Sequence, residues 1–254
     1  MKVSLITVCF NAAEHIATAL ESVSAQRGVD VEHLVLDGAS TDGTQEIVRR
    51  HAEPWRTLVS EPDRGIYDAM NKGLARASGD VIGTLNADDF FAGPDALATV
   101  LRAFETEPQL EAVWGDLCYV QRDDTSEVVR YWQSSDFHPG SFTRGWAPPH
   151  PTFYVRRGLY ERLGGDGVAH VEAADVELMM RFLEVGRPLC RHLPEVLVRM
   201  RMGGTTNKSI RNVWRQNVEI WDALRRHRLR PSLPGYVAGK LLSRGKQFVR
   251  RPSP

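Results

Sequence analysis

Residues 2–23 read KVSLITVCFNAAEHIATALESV and place a strand pattern directly before a helix pattern. The opening KVSLITVCF is rich in Val, Ile, Leu and Thr, which predicts a buried strand. Asn11 is then a good helix N-cap, and Ile16, Leu20 and Val23 recur on one helical face. The stretch therefore predicts a strand joined by a short polar turn to an amphipathic helix.

The same alternation of strand and helix continues through the first hundred residues. Each run of strand-forming residues ends near a polar residue, and a helical pattern follows it. The strand patterns are VEHLVLDG (31–38), TLVSEPD (57–63) and DVIGTLNA (80–87), and the helix patterns are STDGTQEIVRR (40–50), IYDAMNKGLARAS (66–78) and DALATVLRAFET (95–106). This rhythm predicts an α/β fold with a Rossmann-like, mostly parallel central sheet and helices on both faces.

Beyond residue 110 the alternation is lost. A hairpin, a strand with a short helix, and two further helices are predicted there by AVWGDLCYVQ with EVVRYWQ (112–133), PPHPTFYVRRGLYERLGG (148–165), VEAADVELMMRFLEVG (171–186) and the Arg-rich residues 209–229. We therefore expect three parts in the chain, which are residues 1–110, residues 111–204 and a basic helical extension at 205–254.

The composition excludes several classes of protein. No apolar run approaches the roughly 20 residues of a membrane helix. The apolar run at the N-terminus is too short for a signal peptide, so a cytoplasmic location is expected. Cys9, Cys118 and Cys190 form no CxxC pair, which argues against both a zinc site and a disulfide framework.

A net charge of zero hides a strong asymmetry along the chain. From Arg201 onward there are 13 Lys and Arg against two acids, so this tail carries about +11 and the preceding 200 residues about −11. Basic residues alternate in the tail with Trp, Leu and Phe, a pattern that suits an anionic membrane surface. The alternatives are a helix that packs through its Trp residues, a homodimer contact between the tail and the acidic first 200 residues, and nucleic-acid binding. The acidity of those 200 residues and the lack of a recognisable nucleic-acid module argue against nucleic acid.

Polar side chains follow three of the predicted strands. Asn11, Asp37 and Asp88 each stand where a strand ends, and ligands of parallel sheets bind at the carboxyl ends of the strands. In LNADDFF (85–91), the adjacent Asp88 and Asp89 offer the oxygen ligands that Mg²⁺ and Mn²⁺ prefer. Taken alone, the pair is more simply a solvated turn. Asp37 and Asn11 likewise suit a turn or a helix cap.

Five motifs occur together in the chain, in the order TVCFN (7–11), LDGASTDGT (36–44), SEPDRGIYDAMNKG (60–73), GDVIGTLNADD (79–89) and VEAADVELMMR (171–181). With them the chain resembles the family 2 inverting glycosyltransferases, which have the GT-A fold, and in particular the short bacterial members that build exopolysaccharide or O-antigen. The resemblance is specific in residues 3–95, weaker through 115–210 and absent beyond.

The resemblance implies an enzyme that moves a sugar from a nucleotide-diphosphate sugar to a glycan or polyprenyl-linked acceptor. UDP is the favoured nucleotide, and the inner face of the cell membrane is the expected place of action. Residues 1–110 would form the nucleotide-sugar half of one GT-A domain, and residues 111–204 its acceptor-binding and catalytic half. A non-catalytic nucleotide-sugar-binding protein on the same fold is the competing function. No GxGxxG follows the first strand, which argues against a Rossmann dehydrogenase.

The resemblance also assigns residues to the donor site. By position in the motifs, Thr7, Phe10 and Asn11 line the nucleotide pocket, and Asp37 accepts a hydrogen bond from the base. Arg64 lies in the segment that flanks the donor. An ionised Asp accepts hydrogen bonds and donates none, as reading an N–H of a base requires.

A divalent cation, Mn²⁺ or Mg²⁺, is implied at a DxD-type element that Asp88 and Asp89 match. Asp89 is expected to be the direct metal ligand, with Asp88 contacting the ribose or the metal. Asn86 stands where many members have Asp, so more of the metal binding falls on the two later acids. A cation there would stabilise the negative charge that develops on a pyrophosphate leaving group.

Asp175 is the general base that the resemblance implies. A helix over 171–185 places Asp175 on an apolar stripe with Leu178 and Phe182, where a carboxylate needs either a partner or a chemical task. The opposite stripe, predicted to face water, holds Glu177, Arg181 and Glu184.

Several assignments on the acceptor side stay open. Asp175 has the alternative of a buried ion pair with Arg199 or Arg201, and Glu172, one helical turn earlier, is the alternate base. His150 in WAPPHPTF matches a His that faces the acceptor in the family, although a lone His is more often structural. The segment MGGTTN (202–207) resembles one that closes over donor phosphates, and a plain linker explains it equally well.

Overall fold

The computed structural model describes residues 1–165, 173–203 and 210–249. The strands are β1 Lys2–Cys9, β2 Asp30–Asp37, β3 Arg56–Ser60, β4 Val81–Thr84, β5 Phe90–Phe91, β6 Ala112–Val120, β7 Val128–Trp132, β8 Phe153–Arg156 and β9 Cys190–Arg201. The helices are α1 Ile16–Ser24, α2 Thr44–Arg50, α3 Ile66–Leu74, α4 Ala96–Thr106, α5 Arg157–Leu163, α6 Ala174–Met180, α7 Ile210–Arg226 and α8 Leu233–Val249. Short 3₁₀ turns occur at Phe142–Arg144 and His150–Thr152.

These strands form one sheet in the order β3-β2-β1-β4-β8-β6-β9-β5, with β7 beside β6. β3, β2, β1 and β4 run parallel to one another, whereas β8 is antiparallel to both of its neighbours, β4 and β6. β6 and β9 are parallel again. The predicted α/β class is confirmed, as are the strand–helix alternation of the first hundred residues and the hairpin of β6 and β7.

Alternate residues of β1 pack on opposite faces of the sheet, as the pleat of a strand requires. Val3 and Leu5 belong to a buried cluster that includes residues of α1 and α4. Ile6 and Val8 belong to a second cluster that includes residues of α3. Because helices cover both faces, the strand is apolar on both sides. Ligands therefore have access to the edge of the sheet where the parallel strands end.

The predicted N-cap role of Asn11 is wrong. α1 begins at Ile16, with His15 in the cap position. Asn11 instead has a left-handed φ of 49°, and its Oδ1 accepts a hydrogen bond from the backbone N–H of Thr41 at 3.0 Å. The side chain is thus used to join the segment after β1 to the segment after β2. Local sequence favoured the cap because this long-range partner is invisible in it.

The helix predicted over 171–185 is confirmed in its described part, since α6 begins at Ala174 and continues into a π-helical turn at Arg181–Gly186. The first two residues of the prediction lie outside the described ranges. The predicted water-facing stripe is wrong, since Glu177 and Glu184 are each only 9% exposed. Glu184 accepts a hydrogen bond from the backbone N–H of Gly140 at 2.9 Å.

Glu177 links α6 to α7. It accepts hydrogen bonds from Arg181 at 3.2 Å and from His227 at 2.8 Å. Burial alone would raise the pKa of Glu177, but the hydrogen bonds from His227 and Arg181 outweigh it and lower the pKa to about 2. The face that the sequence assigned to water is therefore covered by residues distant in the chain, which are Gly140 at Glu184 and His227 at Glu177.

Sequence patterns did not predict β9. Its run CRHLPEVLVRMR contains Pro194, and Pro disrupts the ladder of an interior strand because it has no N–H to donate. The register against β6 is irregular between Trp114 and Leu117, opposite this part of β9. β9 matters for the site because its far end pairs with Phe90 and Phe91, directly after the two adjacent acids.

The C-terminal extension contains two helices in its described part. The predicted Arg-rich helix is confirmed as α7, on which Leu224 is fully buried whereas Trp214 is 68% exposed. α8 packs against the turn at Phe142–Arg144 and against β7. Within residues 1–165, 173–203 and 210–249, no helix combines the length and the apolar character needed to cross a membrane.

Candidate active site

The carboxyl ends of β1, β2 and β4 lie side by side. Cys9 is aligned with Asp37 in the register of β1 and β2, and β4 lies on the other side of β1. The backbone N–H of Asn11 donates to Ser40 Oγ at 2.8 Å, which holds the segments after β1 and β2 together. Residues predicted from separate motifs are thereby gathered at one edge of the sheet.

Thr7 and Phe10 differ sharply in exposure. Thr7 is fully buried, and its hydroxyl lies 2.9 Å from Nε2 of the equally buried His33. Thr7 thus has no free surface for a nucleotide and supports the strand from within. Phe10 is 66% exposed at the end of β1, where its ring can offer a flat apolar surface to a base.

The carboxylate of Asp37 accepts hydrogen bonds from two serines at the same edge of the sheet. Its Oδ1 accepts a hydrogen bond from the hydroxyl of Ser40, and its Oδ2 accepts from the hydroxyl of Ser60 at 2.6 Å and from the backbone N–H of Ser40 at 3.1 Å. Only 2% of the residue is exposed. The carboxylate therefore ties the ends of β2 and β3 together, and little of it is open to a ligand.

A second carboxylate lies beside it. A Cβ atom added to Gly38 would lie 2.5 Å from Oδ2 of Asp63 and 3.4 Å from the ring of Phe10. The Asp63 carboxylate thus occupies the space that a side chain at position 38 would need. Its Oδ1 accepts the backbone N–H of Gly65 at 2.8 Å. Gly38 is required here by close approach of Asp63.

Arg64 projects from the same segment, with 83% of its side chain exposed. It pairs with Asp68 at 2.9 Å, one helical turn later in α3. Hydrogen bonding to Asp68 raises the pKa of Arg64, so the guanidinium stays charged. The structure therefore places Arg64 at the rim of the site, next to Asp63.

Asp88 and Asp89 differ in accessibility. Asp89 is fully buried, its Oδ2 accepts from Nδ2 of Asn86 at 2.8 Å, and its Oδ1 has no partner among the described residues. Burial, together with the charge of Asp88, raises the pKa of Asp89 well above its usual value. Asp88 is half-buried and reaches the surface. Arg201 fixes this loop by donating to the backbone carbonyl of Asp88 at 2.8 Å.

Asp175 lies between His150 and Tyr67. Its Oδ2 is 3.3 Å from Nδ1 of His150, and its Oδ1 is 3.5 Å from the hydroxyl of Tyr67. Of the Asp175 side chain, 22% is exposed. Among the described residues no Arg forms an ion pair with Asp175, so the ion pair considered for Arg199 or Arg201 is not formed. Glu172, the alternate base, lies outside the described residues.

His150 connects Asp175 with the loop at the end of β4. Burial lowers the pKa of His150, while the charges of Asp175 and Asp88 act in the opposite direction. The net lowering keeps the imidazole neutral at neutral pH. The charge of Asp88 also acts on His150, so the loop after β4 lies within electrostatic range of the imidazole that contacts Asp175.

The glycosyl transferase family 2 profile matches residues 4–162, more than half of the chain. The chain belongs to glycosyl transferase family 2. An uncharacterised glycosyltransferase of Mycobacterium tuberculosis (strain CDC 1551 / Oshkosh) is 32% identical over 189 residues, which are 74% of this chain and 71% of the relative. A PGL/p-HBAD biosynthesis glycosyltransferase of Mycobacterium bovis (strain BCG / Pasteur 1173P2) is 28% identical over 208 residues, 80% and 78% of the two chains.

Solved structures share the fold of this family 2 glycosyltransferase. The mannosyltransferase PcManGT from Pyrobaculum calidifontis, solved with GDP-Man and Mn²⁺, has a TM-score of 0.66 at 25% identity over 95% of this chain and 68% of its own. S. aureus TarS 1–349, solved with UDP-GlcNAc, has a TM-score of 0.70 at 15% identity over 89% of this chain and 65% of its own. The chain spans 37% of a longer TarS chain. These neighbours are GT-A enzymes, so the predicted fold class is confirmed.

The family profile ends before α6, α7 and α8. Asp175 and the C-terminal helices thus lie in the part of this glycosyltransferase that the profile does not cover. Sequence reasoning overlooked Asp63 and Tyr67, although both stand in the quoted motif SEPDRGIYDAMNKG. Their signal was Gly38 next to Asp37, since a glycine without a positive φ indicates that another group approaches closely.

A divalent cation fits the loop at the end of β4. Within the described residues no three His, Cys, Asp or Glu side chains converge as a closed metal site. Mg²⁺ and Mn²⁺ in nucleotide sites need only one or two carboxylates, because phosphate oxygens and water complete their ligand sets. Asp88 supplies an accessible carboxylate, and the buried Oδ1 of Asp89 behind it has no partner among the described residues.

Proposed function

We propose that this glycosyltransferase moves a sugar from a nucleotide-diphosphate sugar, with UDP as the favoured nucleotide, to a hydroxyl of a glycan or polyprenyl-linked acceptor in bacterial surface polysaccharide synthesis. The reaction inverts the anomeric carbon in a single displacement. The observation that carries the proposal is the position of Asp175, which is 22% exposed, lies 3.3 Å from His150 and acts on that imidazole together with the charge of Asp88.

Asp175 acts as the general base. One of its carboxylate oxygens takes the proton of the acceptor hydroxyl while the hydroxyl oxygen forms a bond to the anomeric carbon. The bond from that carbon to the nucleotide diphosphate breaks on the opposite face, and its electron pair leaves with the diphosphate. Because Asp175 is partly exposed and makes no ion pair with an Arg among the described residues, it can reach and accept this proton.

His150 and Tyr67 hold the base in position. Nδ1 of His150 lies 3.3 Å from one carboxylate oxygen of Asp175, and the Tyr67 hydroxyl donates to the other at 3.5 Å. Two contacts from different elements fix the plane of the carboxylate, as a base must be fixed before proton transfer. His150 thereby serves the acceptor side through Asp175.

Asp88 is the ligand that we assign to Mn²⁺ or Mg²⁺, which reverses the order expected from the sequence. Asp89 is fully buried beneath it and positions the loop through Asn86. When bound, the cation would neutralise the negative charge that grows on the departing diphosphate. Arg201 holds the Asp88 backbone and so keeps this carboxylate at the edge of the sheet.

The base of the nucleotide is assigned to Asp63 and Phe10. Asp37 is nearly closed off by Ser40 and Ser60, whereas Asp63 is half-buried at the surface, beside the exposed ring of Phe10. A ring can stack on Phe10 while its N–H donates to Oδ2 of Asp63. Because Gly38 has no side chain, the Asp63 carboxylate can occupy this space.

Asp63→Asn is expected to weaken the binding of UDP about tenfold, the effect of losing one hydrogen bond to a charged group. The amide oxygen of the variant can still accept the Gly65 N–H, but its NH₂ group would then face the donor of the base. The measurement is the dissociation constant of UDP with Mn²⁺ by calorimetry. Asp30→Asn, at the opposite end of β2, is the matched control. Unchanged affinity in Asp63→Asn would remove Asp63 from the base site.

Thermal melting with nucleotides tests the function as a whole. UDP, GDP, UDP-GlcNAc and GDP-mannose are added with Mn²⁺ or with a chelator. At a ligand concentration of 100 times Kd, we expect the preferred nucleotide to raise Tm by about 5 °C or more with Mn²⁺, and much less after chelation. If no nucleotide stabilises the protein, the proposed function is wrong. Stabilisation without any sugar transfer would favour the non-catalytic binding protein.

A further inference from the structure

A cavity of about 200 Å³ extends from Asp175 towards the C-terminal helices. Its lining includes Asp175 and His150, and also Arg130 of β7 with Lys240 and Arg244 of α8. Its walls include aromatic and apolar side chains of β6, β7 and α6. Apart from Asp175 and His150, none of the residues that line the cavity has a role in the proposed function.

Glycines set the position of α8 at this cavity. A Cβ atom on Gly239 would collide with the backbone carbonyl of Arg144, and one on Gly145 would lie 3.0 Å from Lys240. Only glycine at both positions lets the helix approach the turn at Phe142–Arg144 so closely. This contact places Lys240, one residue after Gly239, on the cavity wall.

The contacts described for Lys240 and Arg130 are with uncharged groups. Lys240 Nζ donates to Oδ1 of Asn217 at 2.6 Å and lies 3.3 Å from the Tyr236 hydroxyl. Arg130 lies over the ring of Tyr119 at 3.8 Å, and its buried Nε has no hydrogen-bond partner among the described residues. In the ranges that the structure describes, no carboxylate forms an ion pair with Arg130, Lys240 or Arg244.

Lys240 and Arg130 are half-buried, whereas Arg244 is exposed. Burial and the charge of Arg244 lower the pKa of Lys240 to about 8, and burial lowers the pKa of Arg130. A partly buried cation is stabilised by an opposite charge nearby, so this group of cations favours an anion. A guanidinium offers a planar fork of N–H donors that matches phosphate, and an ammonium adds a point charge.

We propose that Arg130, Lys240 and Arg244 bind a phosphate group of the acceptor. The acceptor hydroxyl then lies at the Asp175 end of the same cavity. The inference rests on the proposed function, since it takes Asp175 as the base that the acceptor must reach. It adds the chemical class of the acceptor, which is a phosphate-bearing molecule, and a binding site built by helices outside the family profile.

The surface next to the cavity favours a phosphate carried on an apolar chain. Val237, Leu241 and Phe248 are 45%, 66% and 60% exposed. Each follows by one residue a side chain that lines the cavity, so together they form the neighbouring stripe of α8. A lipid chain attached to the bound phosphate can lie along this stripe, whereas a soluble sugar phosphate would leave it in water.

Binding of two phosphate probes tests the proposal. Farnesyl diphosphate represents the lipid source and glucose 1-phosphate the soluble source. Both are titrated into protein already saturated with UDP and Mn²⁺, so that the donor site is full. Lys240→Met and Arg244→Met are each expected to weaken probe binding about tenfold, while the affinity for UDP stays unchanged. Arg225→Met, which replaces an exposed cation of α7 outside the cavity, is the control.

The outcomes separate the two proposals. If UDP fails to bind wild-type protein, the proposed function fails. If UDP binds but neither probe does, or if both variants bind the probes as wild type, the phosphate site is wrong and the proposed function stands. Tighter binding of farnesyl diphosphate assigns the phosphate to a lipid, and equal binding assigns it to a soluble molecule. Arg244→Met keeps the test valid if loss of the Lys240–Asn217 bond unfolds the other variant.

Discussion

Asp175→Asn is expected to lower kcat by about 10²- to 10⁴-fold, the contribution typical of a general base. The amide has nearly the same shape as the carboxylate but cannot accept the acceptor proton. Its oxygen can still accept the hydrogen bond from the Tyr67 hydroxyl, so the site should keep its geometry. Nucleotide affinity should not change, because no donor contact is assigned to Asp175.

The measurement is release of UDP from the donor that stabilises the protein most, with the acceptor or water as the nucleophile. The Kd of UDP is determined in parallel by calorimetry. Asp222→Asn, a half-exposed carboxylate of α7 paired with Arg226, is the matched control and should behave as wild type. Normal turnover in Asp175→Asn would show that another group takes the proton.

Asp88→Asn is expected to weaken Mn²⁺-dependent binding of UDP by about 100-fold or more. Changing a residue that only supports a metal ligand usually costs 10- to 100-fold in metal affinity, and loss of a direct ligand should cost at least as much. The Asp88 backbone carbonyl still accepts from Arg201 in the variant, so the loop should keep its place.

Asp89→Asn distinguishes the role of Asp89 in metal binding from that of Asp88. If Asp89 acts by positioning, its amide should weaken the Mn²⁺-dependent binding of UDP by about tenfold, the lower end of the range for a supporting residue and less than the loss expected for a direct ligand. Manganese dependence of UDP affinity is measured for both variants, and Tm confirms that each is folded. A larger loss in Asp89→Asn than in Asp88→Asn would restore Asp89 as the direct ligand.

Much of the fold followed from local patterns. Runs such as KVSLITVCF are apolar on both faces because helices cover both sides of a parallel sheet, so their strand assignment was correct. β9 was missed because its stabilising partners, β6 and β5, come from distant parts of the chain. Periodicity reports which face of an element is apolar but not which other element will cover it.

The candidate site was likewise predicted only in part from the sequence. The motifs drew attention to Asp37 and Asp88 at the ends of predicted strands and to Asp175 on a predicted helix, since such patterns are visible in a sequence. Their accessibility was not visible. The closure of Asp37 by Ser60 depends on the pairing of β2 with β3, and the contact of Asp63 with Gly38 joins segments that follow those two strands.

The sequence by itself determined the α/β class and the family, and it predicted the edge of the sheet at which the candidate site lies, because these depend on local patterning and on motif order. Only the tertiary structure decided that Asp88 is accessible and Asp89 is not, that Glu177 is buried, and that Lys240 faces Asp175 across one cavity. Burial and charge pairing are properties of contacts between distant residues. They exist only after the chain has folded.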